Sequence, residues 1–133
     1  MNANKASNIS KKISIVDDDE DLLKLFIAAF EGKGFQVKTF VSGKEAIKGL
    51  IDKKEIESTD LLILDRMLPD MDGLEILQEI QKKTSLKCPV LFLSVLSSEK
   101  DILIGLKEGA IDYITKPFSI DVLLEKVSKL LMK

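Results

Sequence analysis

Four short apolar runs in this chain each stop on a residue able to do polar chemistry. Ile13 to Val16 stops on Asp17 and Asp18, Leu61 to Leu64 on Asp65, Val90 to Leu93 on Ser94, and Tyr113 to Thr115 on Lys116. Buried parallel strands line up their carboxyl ends on one edge of a sheet, and open α/β sheets bind ligands at that edge. The four stops therefore converge on one crevice. Bringing Asp65 beside Asp17 and Asp18 crowds like charges, which raises a pKa or demands a cation. With carboxylate donors and no histidine in the chain, a hard ion that takes few protein ligands and keeps several waters fits, so magnesium is expected rather than zinc. Asp65 ends the most apolar run without any local structural reason for a charge, and a carboxylate can attack phosphorus to form an aspartyl phosphate. Lys116 offers a point charge for phosphate or carboxylate, and Pro117 after it favours an extended backbone. Ser94 can donate its hydroxyl to a phosphoryl oxygen.

Each of these residues also has an ordinary role. Consecutive acids from Asp17 to Glu20 favour a helix N-terminus, Asp65 can be a solvated loop residue, and Ser94 can be a cap or strand-end hydroxyl. Four acids exceed what a cap needs, and the set of four stops is far more specific than any one of them.

The elements that must deliver these residues alternate between strand-like and helix-like period, the pattern of βαβ units and a parallel sheet. Ile13 to Val16 reads as a strand, followed by a helix capped by Asp18 or Asp19, carrying Leu22, Leu25, Phe26, Ala29 and Phe30, and ended by Gly32 and Gly34. Phe35 to Val41 is a second strand. Ser42 and Glu45 read as a capping box before Ala46, Ile47, Leu50 and Ile51, and Lys53 to Thr59 as a polar connection. Leu61 to Leu64 is the third strand, Pro69 to Gly73 a turn, and Leu74, Ile76, Leu77 and Ile80 a third helix closed by Lys82 to Lys87. Val90 to Leu93 gives a fourth strand, then Ser97 or Ser98 caps a helix with Ile102, Leu103 and Leu106 that stops at Gly109. Ile111 to Thr115 is a fifth strand. Ser119 or Asp121 caps a last helix with Val122, Leu123, Val127, Leu130 and Leu131 on one side.

Bulk properties set the frame. A chain of 133 residues, 45% apolar and 32% charged with net charge −2, is expected to be one domain with one sizeable core. With 20 basic residues matched by 22 acidic ones and no aromatic-basic cluster, a nucleic-acid surface is not expected. The single cysteine, Cys88, reads as a half-buried hydrophobe and fits a reducing, cytoplasmic setting. Met1 to Lys12 has no apolar core, so neither a signal peptide nor an anchor is expected, and no stretch reaches the ~18 apolar residues of a membrane span. There is no G-x-x-x-x-G-K-[ST], no G-x-G-x-x-G and no histidine for a nucleophilic triad.

The residues resemble a known family, the receiver domain of two-component response regulators. Ile13-Ser14-Ile15-Val16-Asp17-Asp18-Asp19-Glu20 is similar to its acidic-pair motif. Leu64-Asp65-Arg66-Met67-Leu68-Pro69-Asp70-Met71-Asp72-Gly73 is similar to its phosphoacceptor motif, and Tyr113-Ile114-Thr115-Lys116-Pro117-Phe118 to its lysine motif. The likeness spans roughly Lys11 to Leu131, in order and spacing. It implies a flavodoxin-like (βα)5 doubly wound parallel α/β sheet of strand order 2-1-3-4-5, with residues 1–11 as a flexible N-terminal tail and 12–133 as the receiver domain.

It further implies that Asp65 accepts a phosphoryl group from a histidine kinase or histidine phosphotransfer protein. Magnesium would be held by Asp17, Asp18, Asp65 and the backbone carbonyl of Met67, Asp17 acting largely through water. Lys116 would contact the phosphoryl group, and Ser94 and Tyr113 would switch together to remodel the surface of the fourth helix, fifth strand and fifth helix. Such a protein is not an enzyme beyond its own phosphorylation and dephosphorylation. Its partners would be the phosphodonor, a downstream protein target or an output domain absent from this chain, and a second copy through that surface, with neither nucleic acid nor membrane bound directly. Ser94 replaces the family's commoner threonine and keeps the hydroxyl, while Val95 stands where alanine or glycine is usual and narrows access. Met67 and Leu96 fall at the positions that influence water near the acyl phosphate. Both are apolar, which implies a long-lived phosphorylated form.

Two other readings were open to the residues. Asp17 and Asp19 form a D-x-D at a strand end, similar to the nucleophile motif of haloacid-dehalogenase-type phosphatases, although that family needs a further acidic pair where this chain has Ser94 and Val95. The other is an interaction module that keeps the fold without being phosphorylated.

Overall fold

The structure is a computed structural model and describes residues 10–132; most of the expected tail, residues 1–9, lies outside them. Five parallel strands form one sheet in the order β2-β1-β3-β4-β5. These are β1 (Lys12–Val16), β2 (Gln36–Phe40), β3 (Leu61–Leu64), β4 (Val90–Ser94) and β5 (Asp112–Thr115). Among the described residues the helices are α1 (Glu20–Gly32), α2 (Gly43–Leu50), α3 (Lys53–Ser58), α4 (Gly73–Lys83), α5 (Glu99–Lys107) and α6 (Ile120–Leu131). The expected flavodoxin-like topology is the one found.

Strand alternation splits the core into two layers, one per face of the sheet. On one face Ile13 and Ile15 of β1, Leu61 and Ile63 of β3, and Leu91 and Leu93 of β4 meet Leu23, Phe26 and Phe30 of α1 and Leu123, Val127 and Leu131 of α6. On the other, Val16, Leu62, Leu64, Val90 and Phe92 meet Ala46 and Leu50 of α2, Ile56 of α3, and Ile76, Leu77 and Ile80 of α4. Helices on both faces explain why β3 and β4 read as unbroken apolar runs. Ser14, a fully buried polar residue of β1, is satisfied by a 3.0 Å hydroxyl contact with Thr59.

Most helix starts are where the capping residues put them. Asp19 caps α1 by accepting the Leu22 N–H, Ser98 caps α5 through the Asp101 N–H, and Ser119 caps α6 through the Val122 N–H. Gly34 and Gly109, at φ +93° and +110°, sit just past α1 and α5. Three details differ from expectation. Lys53 to Thr59 is not merely a polar connection: Asp52 caps a short helix there that buries Ile56. Ser42 accepts the Glu45 N–H, but the capping box with both halves made stands at Asp72 and Glu75, opening α4. Leu25, expected on the inner face of α1, lies outside, and Leu23 is buried in its place.

Candidate functional site

Hydrogen bonding carries the sheet one residue past three strand ends. The Asp17 N–H donates to the Phe40 carbonyl at 3.1 Å, the Asp65 N–H to Val16 at 3.0 Å, and the Lys116 N–H to Ser94 at 2.8 Å. Register therefore delivers Asp17, Asp65, Ser94 and Lys116 side by side, as the four stops require. The Lys116–Pro117 peptide bond is cis.

The two inner aspartates are held alike. Asp17 Oδ1 accepts the Asp19 N–H at 2.9 Å and Asp65 Oδ1 the Met67 N–H at 2.9 Å. Their other oxygens face the same ammonium: Lys116 Nζ lies 2.7 Å from Asp17 Oδ2 and 3.0 Å from Asp65 Oδ2. One oxygen of each is thus fixed by backbone two residues on, an Asx-type turn, and the other is left to respond to charge. Asp17 and Asp65 are buried while Asp18 is exposed, and the three can each turn an oxygen to within 4.8 Å of the others.

Electrostatics follow from that crowding. Burial raises the Asp17 carboxyl, and the nearby Asp65 charge adds to this, against the lowering pull of Lys116 and of the Asp19 N–H. Burial pulls the Lys116 ammonium down, but its hydrogen bonds to Asp17 and Asp65 outweigh this and hold it above the ordinary lysine value. Three carboxylates against one ammonium leave the site short of positive charge. A hard, oxygen-liganded divalent ion fits this donor set, with Asp17, Asp18 and Asp65 as ligands.

The other expected site residues connect outward. Ser94 is fully buried and its hydroxyl accepts the Leu96 N–H at 3.2 Å. The Leu96 carbonyl accepts the Tyr113 hydroxyl at 2.7 Å. Tyr113 is buried, with its ring 5.9 Å from that of Phe92. Met67 and Val95 stand beside the site and are exposed, at 52% and 56%. Asp19 does not join the acids: its side chain caps α1, so the D-x-D reading finds no support in the geometry.

Four residues given no individual role in the sequence, Arg66, Asp70, Asp72 and Gly73, hold the loop after Asp65. Asp70 spans 27 positions to cap α2 from outside, its two oxygens accepting the Gly43 and Lys44 N–H groups at 2.9 Å each. Those hydrogen bonds lower its carboxyl. Arg66 is buried and pairs bidentately with Asp72, the N-cap of α4, at 3.0 and 3.2 Å. Gly73 has no room for a side chain, since a Cβ there would lie 2.3 Å from the Asp65 carbonyl oxygen. Local sequence carried a signal only for Asp72, as S/T/D/N followed by Glu75 three residues on.

A groove of about 750 Å³ runs along the β2 edge, where Lys38, Lys48 and Lys54 alternate with Glu45, Asp52 and Glu55. Mixed charge and wide opening give it no chemistry comparable to the strand-end cluster.

Comparison with known proteins agrees with this geometry. Residues 13–128 match the model of the response regulator receiver domain. The chain belongs to that family. The receiver is 41% identical over 111 residues to the alkaline phosphatase synthesis transcriptional regulatory protein PhoP of Bacillus subtilis, an alignment that covers 84% of this chain and 44% of PhoP. It spans about half the length of the curated relatives it matches. A two-component response regulator from Clostridium difficile superposes with TM-score 0.82 at 29% identity, over 93% of this chain and 98% of that one. The BeF3-activated receiver domain of DrrB, a Thermotoga maritima protein, superposes with TM-score 0.79 at 34% identity, over 94% of this chain and all of that one. A receiver of two-component signal transduction is thus the protein's class, and no described helix is long and apolar enough to cross a membrane.

Proposed function

We propose that Asp65 is the phosphoacceptor of a magnesium-dependent receiver switch. The observation that carries the reading is the pairing of a buried carboxylate, one oxygen fixed by the Met67 N–H and the other facing Lys116, with two further acids within metal-ligand reach. Asp65 Oδ2 attacks phosphorus of a phosphohistidine on a kinase or phosphotransfer protein. The P–N bond breaks, the imidazole leaves, and an acyl phosphate forms. Magnesium held by Asp17, Asp18, Asp65 and the Met67 carbonyl would offset the repulsion between carboxylate and phosphoryl oxygens. Lys116 supports the same charge from the other side and keeps contact with the product phosphoryl group.

Ser94 turns its hydroxyl toward the phosphoryl oxygens and weakens its hold on the Leu96 N–H. The Leu96 carbonyl moves, and the Tyr113 hydroxyl it holds moves with it. The result is a population shift between two packings of α5, β5 and α6. Exposed Leu103, Leu106, Ile111 and Val122 on and around these elements are the surface offered to a downstream target, an output domain or a second copy. A cytoplasmic histidine kinase is the natural donor. Met67 and Leu96 carry no group able to orient an attacking water, so the acyl phosphate is long-lived.

Intact mass after acetyl phosphate and magnesium tests the reading. One phosphoryl group should appear on the wild type, persist on dilution into donor-free buffer, and be missing in Asp65→Asn. Equal modification of the mutant would sink the assignment.

A further inference from the structure

Arginine is rarely buried without a partner, and Arg66, directly after Asp65, is only 6% exposed. Its Nε and Nη2 donate to the two oxygens of Asp72, and its Nη1 reaches the Asp101 carbonyl in the first turn of α5 at 3.3 Å. Asp72 in turn accepts the Leu74 N–H at 2.8 Å, and the Arg66 carbonyl accepts the Gly73 N–H at 3.0 Å. An arginine needed only to close its own loop would be satisfied by Asp72. The third bond crosses to a different helix, 35 positions away.

That helix is the least anchored of the long ones. Within α5 only Gly105 is buried, whereas α1 and α6 each bury three apolar side chains. Few buried contacts make an element prone to move. The guanidinium is a rigid planar fork. With one edge fixed by Asp72, a shift of α5 relative to the loop lengthens the Asp101 contact, and a shift of the loop pulls on α5. Tyr113 lies near enough that Arg66 opposes the raising effect of burial on its phenol.

We propose that Arg66 is a positioning residue that ties the Asp65 loop to the first turn of α5 and so transmits a change at Asp65 to Tyr113 and the neighbouring surface. This is a second connection beside the one from Ser94 through Leu96, and it rests on the reading of Asp65 as phosphoacceptor. A lysine cannot replace it, since one ammonium on a flexible stem does not span Asp72 and the Asp101 carbonyl together.

Tyr113 is the only tyrosine and the chain has no tryptophan, so its emission reports one position. With magnesium and beryllofluoride added to the 133-residue chain, wild-type emission should change saturably, and amide exchange across residues 99–107 should change with it. Arg66→Ala and Arg66→Lys should still take up beryllofluoride, read by fluorine NMR, but lose most of both responses. Arg66→Lys keeps a cation beside Asp72 and so covers the case in which the alanine variant fails to fold. A purely structural arginine would alter stability and leave the response amplitude intact, so wild-type responses in Arg66→Lys would overturn the proposal. Uptake missing from the wild type, or equal in Asp65→Asn, would instead place the failure in the phosphoacceptor reading.

Discussion

Asp17 and Asp65 each keep one oxygen on backbone and give the other to Lys116, so the ammonium occupies the two carboxylates that the proposed metal ion would share. Two consequences for metal binding follow. Asp17 must be ionised to act as a ligand, and burial raises its carboxyl, so magnesium affinity should begin to fall above the ordinary aspartate range of about 3.9 and keep falling as pH drops. The same sign governs stability: a raised carboxyl costs the fold most at neutral pH, and that cost fades as pH falls through the raised value. Lys116 has the opposite sense, its contribution present below the lysine pKa of the unfolded chain and lost as pH rises through the higher folded value. Removing the competing charge in Lys116→Met should tighten magnesium binding by roughly three- to tenfold at low salt, read by calorimetric titration. Unchanged affinity would mean that Lys116 does not hold the metal ligands. The acids and Ser94 were legible because they end runs of buried strand, and Lys116 because it ends the short strand β5 just before Pro117. Asp70 was not, because its role depends on amides 26 and 27 positions away, which no local pattern encodes.

At the scale of elements the difference between α5 and its neighbours decides what can move. The strands were plain in the sequence, since Leu61 to Leu64 and Val90 to Leu93 are buried on both faces. The short α3 was not, because a six-residue helix with one buried side chain, Ile56, shows no period. The apolar residues of α5 were legible as helical, but Leu103 and Leu106 face outward, and the inner contact is made by Gly105. A Cβ at Gly105 would lie 2.8 and 3.0 Å from two ring carbons of Tyr113 and 3.2 Å from Phe92. Gly105→Ala should therefore cost about 1–3 kcal/mol through overpacking, of which helix propensity returns about 1 kcal/mol, and should change the Tyr113 emission intensity. Denaturant melts followed by far-ultraviolet dichroism give the first quantity. A Gly105→Ala variant stabilised by the full helix-propensity gain of about 1 kcal/mol would show that α5 slides over Tyr113 without cost, and that its position carries no information.

Across the whole molecule the sheet separates two cores, and the switch lies mainly on one of them. Tyr113, Phe92 and Ile102 belong to the layer under α2 to α5, while α1 and α6 cover the other face with Phe26, Phe30, Leu123, Val127 and Leu131. In the switch proposed above, a charge change at the strand ends thus has a soft side to act on, with α5 moving most and α6 as the better anchored flank. The Lys126–Asp112 ion pair, at 2.8 Å, fastens that flank to β5, though at 46% and 41% exposure it adds little stability. If a second copy binds the α5-β5-α6 surface more tightly when Asp65 is occupied, linkage requires that the partner raise beryllofluoride affinity by the same factor, typically about 5- to 150-fold. Sedimentation with and without magnesium and beryllofluoride gives the first factor, and beryllofluoride titration at protein concentrations below and above the association midpoint gives the second. Leu103→Asp, on exposed α5 surface away from the acids, should abolish both factors and leave uptake by the isolated chain intact. Two factors that differ beyond error would rule out a single two-state shift, and self-association indifferent to Leu103→Asp would move the interface to another face.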